Sequence, residues 1–162
     1  MVNQQLLEML KQEPAGTWNK WRRAHPGSPL DLNEADLQGN DLSGYELNGA
    51  NLSGADLSNA DLSDADLSWS NLVGANLRNA KLTAVNLTGA NLSGAHLREA
   101  MLMDALLNQT TLLDTDLIDA DLNKADLRDA DLTRAYLRDA NLSGALITPE
   151  QLSKSRSPDE SP

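Results

Sequence analysis

Few side chains in this sequence have the chemistry for catalysis. Cys is absent, which excludes thiolate nucleophiles, disulfides, thiolate-held zinc and iron–sulfur clusters together. Two imidazoles remain, His25 and His96. His96 is spaced evenly between Asn76 and Asp116, which makes a His–Asp contact if the chain coils with that period, but no serine nucleophile or second base converges on it. His25 precedes Pro26 and reads as a loop residue. Carboxylates are more numerous. Asp36 and Asp56, Asp41 and Asp61, and Glu46 and Asp66 share the same spacing, and stacked like charges either raise a pKa or attract a cation. Calcium needs about six to eight converging oxygens, which parallel rows do not supply. The commoner role of Asp or Asn before a turn is a side-chain bond to a nearby backbone amide, so no metal, cofactor or enzymatic activity is expected.

The charge balance narrows the partners. The 162 residues hold 13 Lys+Arg against 24 Asp+Glu, a net charge of −11, which repels phosphates and argues against direct nucleic-acid binding. No run approaches the roughly 18 apolar residues of a membrane span, and Met1–Gln12 lacks the basic start and apolar stretch of a signal peptide. A soluble, monomeric, cytoplasmic chain is expected. Phe is absent and aromatics are 3%, so the core must be aliphatic.

The elements that position these groups follow from one period. Leu recurs at every fifth position from Leu32 to Leu142, 23 times without a gap, and 16 of the residues two places before these leucines are Ala. A period of five suits neither a helix nor a flat strand, so the chain must turn a corner in every unit. Right-angled corners close a square after four units. The second residue after each Leu is Gly, Asn or Asp in 16 of 23 units, types that tolerate positive φ in a tight turn. Gly dominates early and Asp late, which leaves room for a change of turn type along the length. Leu and the position two before it face inward. The other three positions face water.

Tandem Ala-(Asp/Asn)-Leu-X-X units resemble the pentapeptide-repeat proteins, and the resemblance runs from Leu30 to Ile147. It implies an all-β fold, a right-handed quadrilateral parallel β-helix of about six coils. Residues 1–29 form a helical N-terminal cap, 30–147 the solenoid, 148–152 a short helical turn and 153–162 a disordered tail. Within the cap, Gln4–Lys11 is amphipathic, Pro14–Gly16 interrupts it, and Thr17 caps a second helical turn carrying Trp18 and Trp21. Trp18 and Trp21, with Pro29-Leu30-Asp31-Leu32, resemble the cap of cyanobacterial members, and the two rings are expected to cover the first coil. Thr148-Pro149-Glu150-Gln151 has the sequence of a capping box.

Some relatives of this fold imitate duplex DNA and inhibit gyrase-type topoisomerases. Against that reading, this chain has no Phe, and Arg78, Arg98, Lys124, Arg128, Arg134 and Arg138 interrupt its acidic surface. The leading expectation is a non-enzymatic protein-binding or regulatory module. Its candidate contact residues are Met101, Met103, Leu106 and Trp69, which occupy outward slots normally polar or glycine. Leu113 and Ile118 are expected outward as well.

Overall fold

The computed structural model describes residues 4–157, 160 and 162. Residues 1–3, 158, 159 and 161, which fall in the expected cap and tail, lie outside the described residues. Two helices, α1 (Gln4–Gln12) and α2 (Ala15–Ala24), precede the repeats, and a third, α3 (Pro149–Ser153), follows them. Between them, parallel bridges join each unit to the fourth one after it, from Asp31 with Asn51 to Asp126 with Leu146. One coil is therefore four units, and the shaft has four faces. The first carries Asp31, Asn51, Asn71, Asn91, Thr111 and Asp131 in one column. The second, third and fourth faces carry the columns that begin at Asp36, Asp41 and Glu46.

Every corner has the same geometry. The carbonyl of each repeat Leu accepts from the N–H three positions on, at 2.9–3.3 Å, and the second residue after each Leu has φ between 54° and 71°. Positive φ at that position alone, closed by this bond, defines a type II turn. The exchange of Gly for Asp along the chain thus leaves the turn type unchanged. It changes only the strain, since 15 of the corner residues are not glycine.

Between coils, each repeat Leu from Leu32 to Leu127 donates its N–H to a carbonyl of the next coil, Leu32 to Asn51 O and Leu127 to Leu146 O among them, at 2.7–3.0 Å. The repeat leucines from Leu32 to Leu132 are 0–1% exposed, and the small Ala column lets the four walls approach. Three inward polar residues find carbonyls. Ser70 Oγ donates to Leu67 O at 2.7 Å, while Thr110 and Thr115 donate to Leu87 O and Leu92 O of the preceding coil, each at 2.9 Å.

Burial departs from the simple pattern at Ile118, expected outward but 0% exposed. Its corner neighbours one coil away are Arg98 and Arg138, whose long aliphatic stems suit such a cover, and Asp116 bonds both the Ile118 amide and Arg98. Ser58 is also buried, with the Gln38 amide donating to its Oγ at 3.2 Å.

The ends are built differently. Leu6, Leu7 and Leu10 of α1 and Trp18 of α2 are buried against the first coil. Trp18 Nε1 donates to Glu46 O at 2.9 Å, while the Asn19 side chain donates to Gly44 O at 2.9 Å and accepts from Glu46 N at 2.8 Å. Tyr45 Oη donates to Glu13 O at 2.5 Å. Thr17 does not cap α2: the helix begins at Ala15, with Pro14 in extended conformation at the N-cap and no side-chain bond there. Proline has no N–H to place in the preceding helix and fits just ahead of the next one, so Glu13 and Pro14 suffice as the break.

At the other end Thr148 and Gln151 form a reciprocal capping box on α3. Lys154 to Arg156, at the start of the expected tail, are bonded to the shaft. Arg134 N donates to Lys154 O at 2.8 Å and Arg156 N to Ala135 O at 2.9 Å, because α3 turns the chain back onto the edge of the last coil. Arg156 then lies over the Tyr136 ring, 5.1 Å from its centroid.

Candidate functional site

The residue before each repeat Leu sets the surface chemistry. Where it is Asp or Asn, its Oδ1 accepts from the backbone N–H two positions on, at 3.0–3.4 Å, a bracket found in 16 units. In the inner coils each bracket satisfies the one amide of the unit that no backbone carbonyl reaches. Hydrogen bonds from Ser43, Ser58 and Ser63 hold the Asp41, Asp56 and Asp61 carboxyls below the usual carboxylate range, and Thr133 does the same to Asp131. The carboxylate rows are thus turned onto their own amides.

Seven units have another residue in that slot: Glu46, Lys81, His96, Met101, Leu106, Thr111 and Tyr136. Four of them are consecutive, and four units make one circuit. The coil from His96 to Leu113 therefore has no bracket at any corner. Among the described residues, the backbone N–H groups of Arg98, Met103, Asn108 and Leu113 meet no acceptor. The same coil is tied inward by Thr110 and Thr115, so hydrogen bonds lost from its outer surface are partly replaced inside.

Three of the expected contact residues meet on this coil. Met101 lies in the third face and is 36% exposed, Leu106 lies in the fourth and is 44% exposed, and Met103 is half-buried at the corner between them. Trp69 stands apart at the far edge of the fourth face, 66% exposed, with φ 58°. Its ring leans over Gly89, one coil nearer to Leu106. A Cβ at Gly89 would meet the ring at 2.4 Å, so with the ring in this position only glycine fits beneath it, and a larger residue would push the ring aside. Trp18 is fully buried and Trp21 half-buried, their ring centroids 5.6 Å apart, and both lie in the cap.

The two histidines make no catalytic pair. His96 pairs with Asn76 and Asp116 through the backbone ladder, but the Asp116 carboxylate is taken by Arg98 and the Ile118 amide. His25 stacks on Trp21 at 4.9 Å, with Nδ1 2.9 Å from Trp21 O.

Two features lie beyond the candidate residues named from the sequence, the unbracketed amides and the glycine seat of Trp69. Both have a signal there: four successive units without Asp or Asn before Leu, and a glycine, Gly89, in the slot four units after Trp69.

Comparison with known proteins agrees with this architecture. The family described as pentapeptide repeats matches in eight copies, over residues 31–68, 60–99, 70–109 and 110–148. Among solved structures the chain is similar to HetL, a pentapeptide repeat protein involved in heterocyst differentiation regulation in the cyanobacterium Nostoc sp. strain PCC 7120. The identity is 34% and the TM-score 0.52, over 81% of this chain and 65% of HetL. This chain thus spans just under two thirds of that relative. It is similar as well to a pentapeptide repeat protein from the Arabidopsis thaliana thylakoid lumen, at 28% identity and TM-score 0.61, over 68% of this chain and 73% of that one. No curated protein matches. With repeats matched from Asp31 to Thr148 on a four-sided parallel shaft, the chain belongs to the pentapeptide-repeat family, whose members fold as right-handed quadrilateral β-helices.

Proposed function

We propose that this protein is a non-enzymatic protein-binding module whose contact surface is the coil His96–Leu113, centred on Met101, Met103 and Leu106. One observation carries the reading: a full circuit has exchanged its Asp/Asn brackets for other side chains, two of them large and apolar, while inward threonines tie the coil from within. Neutral drift would scatter such exchanges along the shaft rather than gather four in one circuit. Met adapts to a partner's shape, and apolar side chains on an otherwise polar rod supply the dry centre a protein contact needs. The involvement of HetL in developmental regulation is in keeping with a module that acts by binding.

The test is affinity capture from the native lysate with two matched double variants. Met103→Glu with Leu106→Lys should abolish capture of the partner at an unchanged melting curve. Ser63→Glu with Ser68→Lys, flanking the same face two coils earlier, should leave it intact. If the serine pair abolishes capture and the Met103/Leu106 pair does not, the contact lies on the N-terminal coils. Activity in a gyrase supercoiling assay would instead favour the DNA-mimic reading, which the turned-in carboxylates do not support.

A further inference from the structure

The vacated brackets also say what the partner must bring. In 16 units an Asp or Asn oxygen sits 3.0–3.4 Å from the amide two positions on, so the outer surface at each corner is shaped to hold one side-chain oxygen against one N–H. At Met103 and Asn108 that N–H is present and the oxygen is not, because Met101 and Leu106 occupy the slots that would provide it. These two amides lie at the two corners of the fourth face, on either side of exposed Leu106. Each is the positive end of a peptide dipole beside apolar side chains, a setting that favours an incoming acceptor and strengthens the bond it makes.

We propose that Met103 N–H and Asn108 N–H each recognise the side-chain oxygen of an asparagine carried by a protein partner, completing one bracket apiece in trans, while Met101 and Leu106 take the apolar residues beside it. This rests on the protein-binding reading above. Asparagine is favoured over aspartate because Asn51, Asn71, Asn86 and Asn91 make the same bracket without a charge, and the net charge of −11 opposes an incoming carboxylate.

The experiment is an amide-detected NMR titration of the full chain with three synthetic peptides, acetyl-Leu-Asn-Leu-amide and its Asp and Ala counterparts. The Met103 and Asn108 amide protons should move downfield with the Asn peptide, which should bind about fivefold more tightly than the Ala peptide, the worth of one added hydrogen bond. The bracketed amides of Ser63 and Ser68 should not move. The Asp peptide should bind more weakly than the Asn peptide at low salt and approach it as salt is raised. In a Leu106→Asn variant the bracket on Asn108 is completed in cis. Its Asn108 amide should be shifted before any peptide is added and then fail to respond, at a melting temperature no lower than the parent's. Equal shifts from the Asn and Ala peptides, or an Asn108 response in Leu106→Asn like the parent's, would overturn the proposal. Equal shifts confined to this coil would still leave the apolar contact surface standing. A Met103→Glu, Leu106→Lys variant that still captures its partner would remove that surface itself.

Discussion

At the N-terminal end of the shaft Trp18 is 0% exposed and Leu10 1%, and α2 bonds the backbone of Gly44 and Glu46 much as another coil would. At the C-terminal end Leu137, Leu142 and Ile147 are only half-buried, Leu146 is 51% exposed, and α3 buries no residue. What holds that end is polar. Gln151 Nε2 donates to Leu127 O at 2.7 Å and Ala130 O at 2.9 Å, and the returning chain adds the Arg134 and Arg156 backbone bonds. Removing a large apolar side chain from a filled interior costs several kcal/mol, whereas a single hydrogen bond contributes about 1 kcal/mol. The contrast teaches that the solenoid frays from its C-terminal coil, because the interior column that closes the first end is left open at the last.

The most severe way to break this comparison is Trp18→Ala. It should cost about 3–5 kcal/mol, read as a large drop in melting temperature, with self-association of the exposed first coil on size-exclusion chromatography. Leu152→Ala at the other end should cost under about 1 kcal/mol, since its side chain is 37% exposed. Equal costs would mean that the two ends are closed alike. Gln151→Ala comes next. Losing two bonds to coil carbonyls should cost about 1–2 kcal/mol and speed amide hydrogen exchange in residues 127–147 without changing it near Trp18.

Acid should sharpen the contrast further. The carboxyls of Asp114, Asp126 and Asp131 in the last coils are held low by Arg134, Arg128 and Thr133 respectively. A folded pKa below the unfolded one contributes stability that is complete above the ordinary carboxylate range and is lost as pH falls through the lowered value. The melting temperature should therefore be flat from about pH 7 to pH 5 and fall below about pH 4. Asp41, Asp56 and Asp61 are held low in the early coils too, so acid loosens both halves, and exchange should accelerate first at the C-terminal coils because that end is closed by polar bonds alone. Asp131→Asn, which keeps a bracket oxygen for Thr133, should blunt that local acceleration. The smallest effect is a gain: Asp139→Gly relieves a corner at φ 58° in the half-open coil and should add about 0.5 kcal/mol.

The interior is legible in the sequence because a five-residue period leaves one geometric solution, and the leucines from Leu32 to Leu132 carry it without exception. Ile118 is not, because its cover comes from the adjoining coil on either side, a neighbourhood visible only once the coil is closed. Lys154 to Arg156 mislead for a related reason: their composition contains little to bury, yet α3 delivers their backbone to an edge that needs partners. The uniform corner is hidden by its own sequence variation. Asp104 and Gly94 hold nearly the same φ, and composition cannot say whether a residue tolerates a conformation or changes it. At the candidate surface Met101, Met103 and Leu106 are readable as exceptions, but their meaning depends on knowing what the ordinary residues of that column do.

The four-unit ladder gives the shaft an angular phase, and this governs what changes of length it can absorb. Loss of a single residue ahead of the candidate surface would send every later leucine into the wrong slot. Loss of one whole unit, such as residues 76–80, would keep the interior in step but turn everything after it by a quarter circle relative to α1 and α2. Met101, Met103 and Leu106 would then look out over a different side of the cap. Loss of four units would restore their bearing and merely bring them one coil closer. In such a molecule distance along the axis and direction around it can be altered independently, one repeat unit at a time.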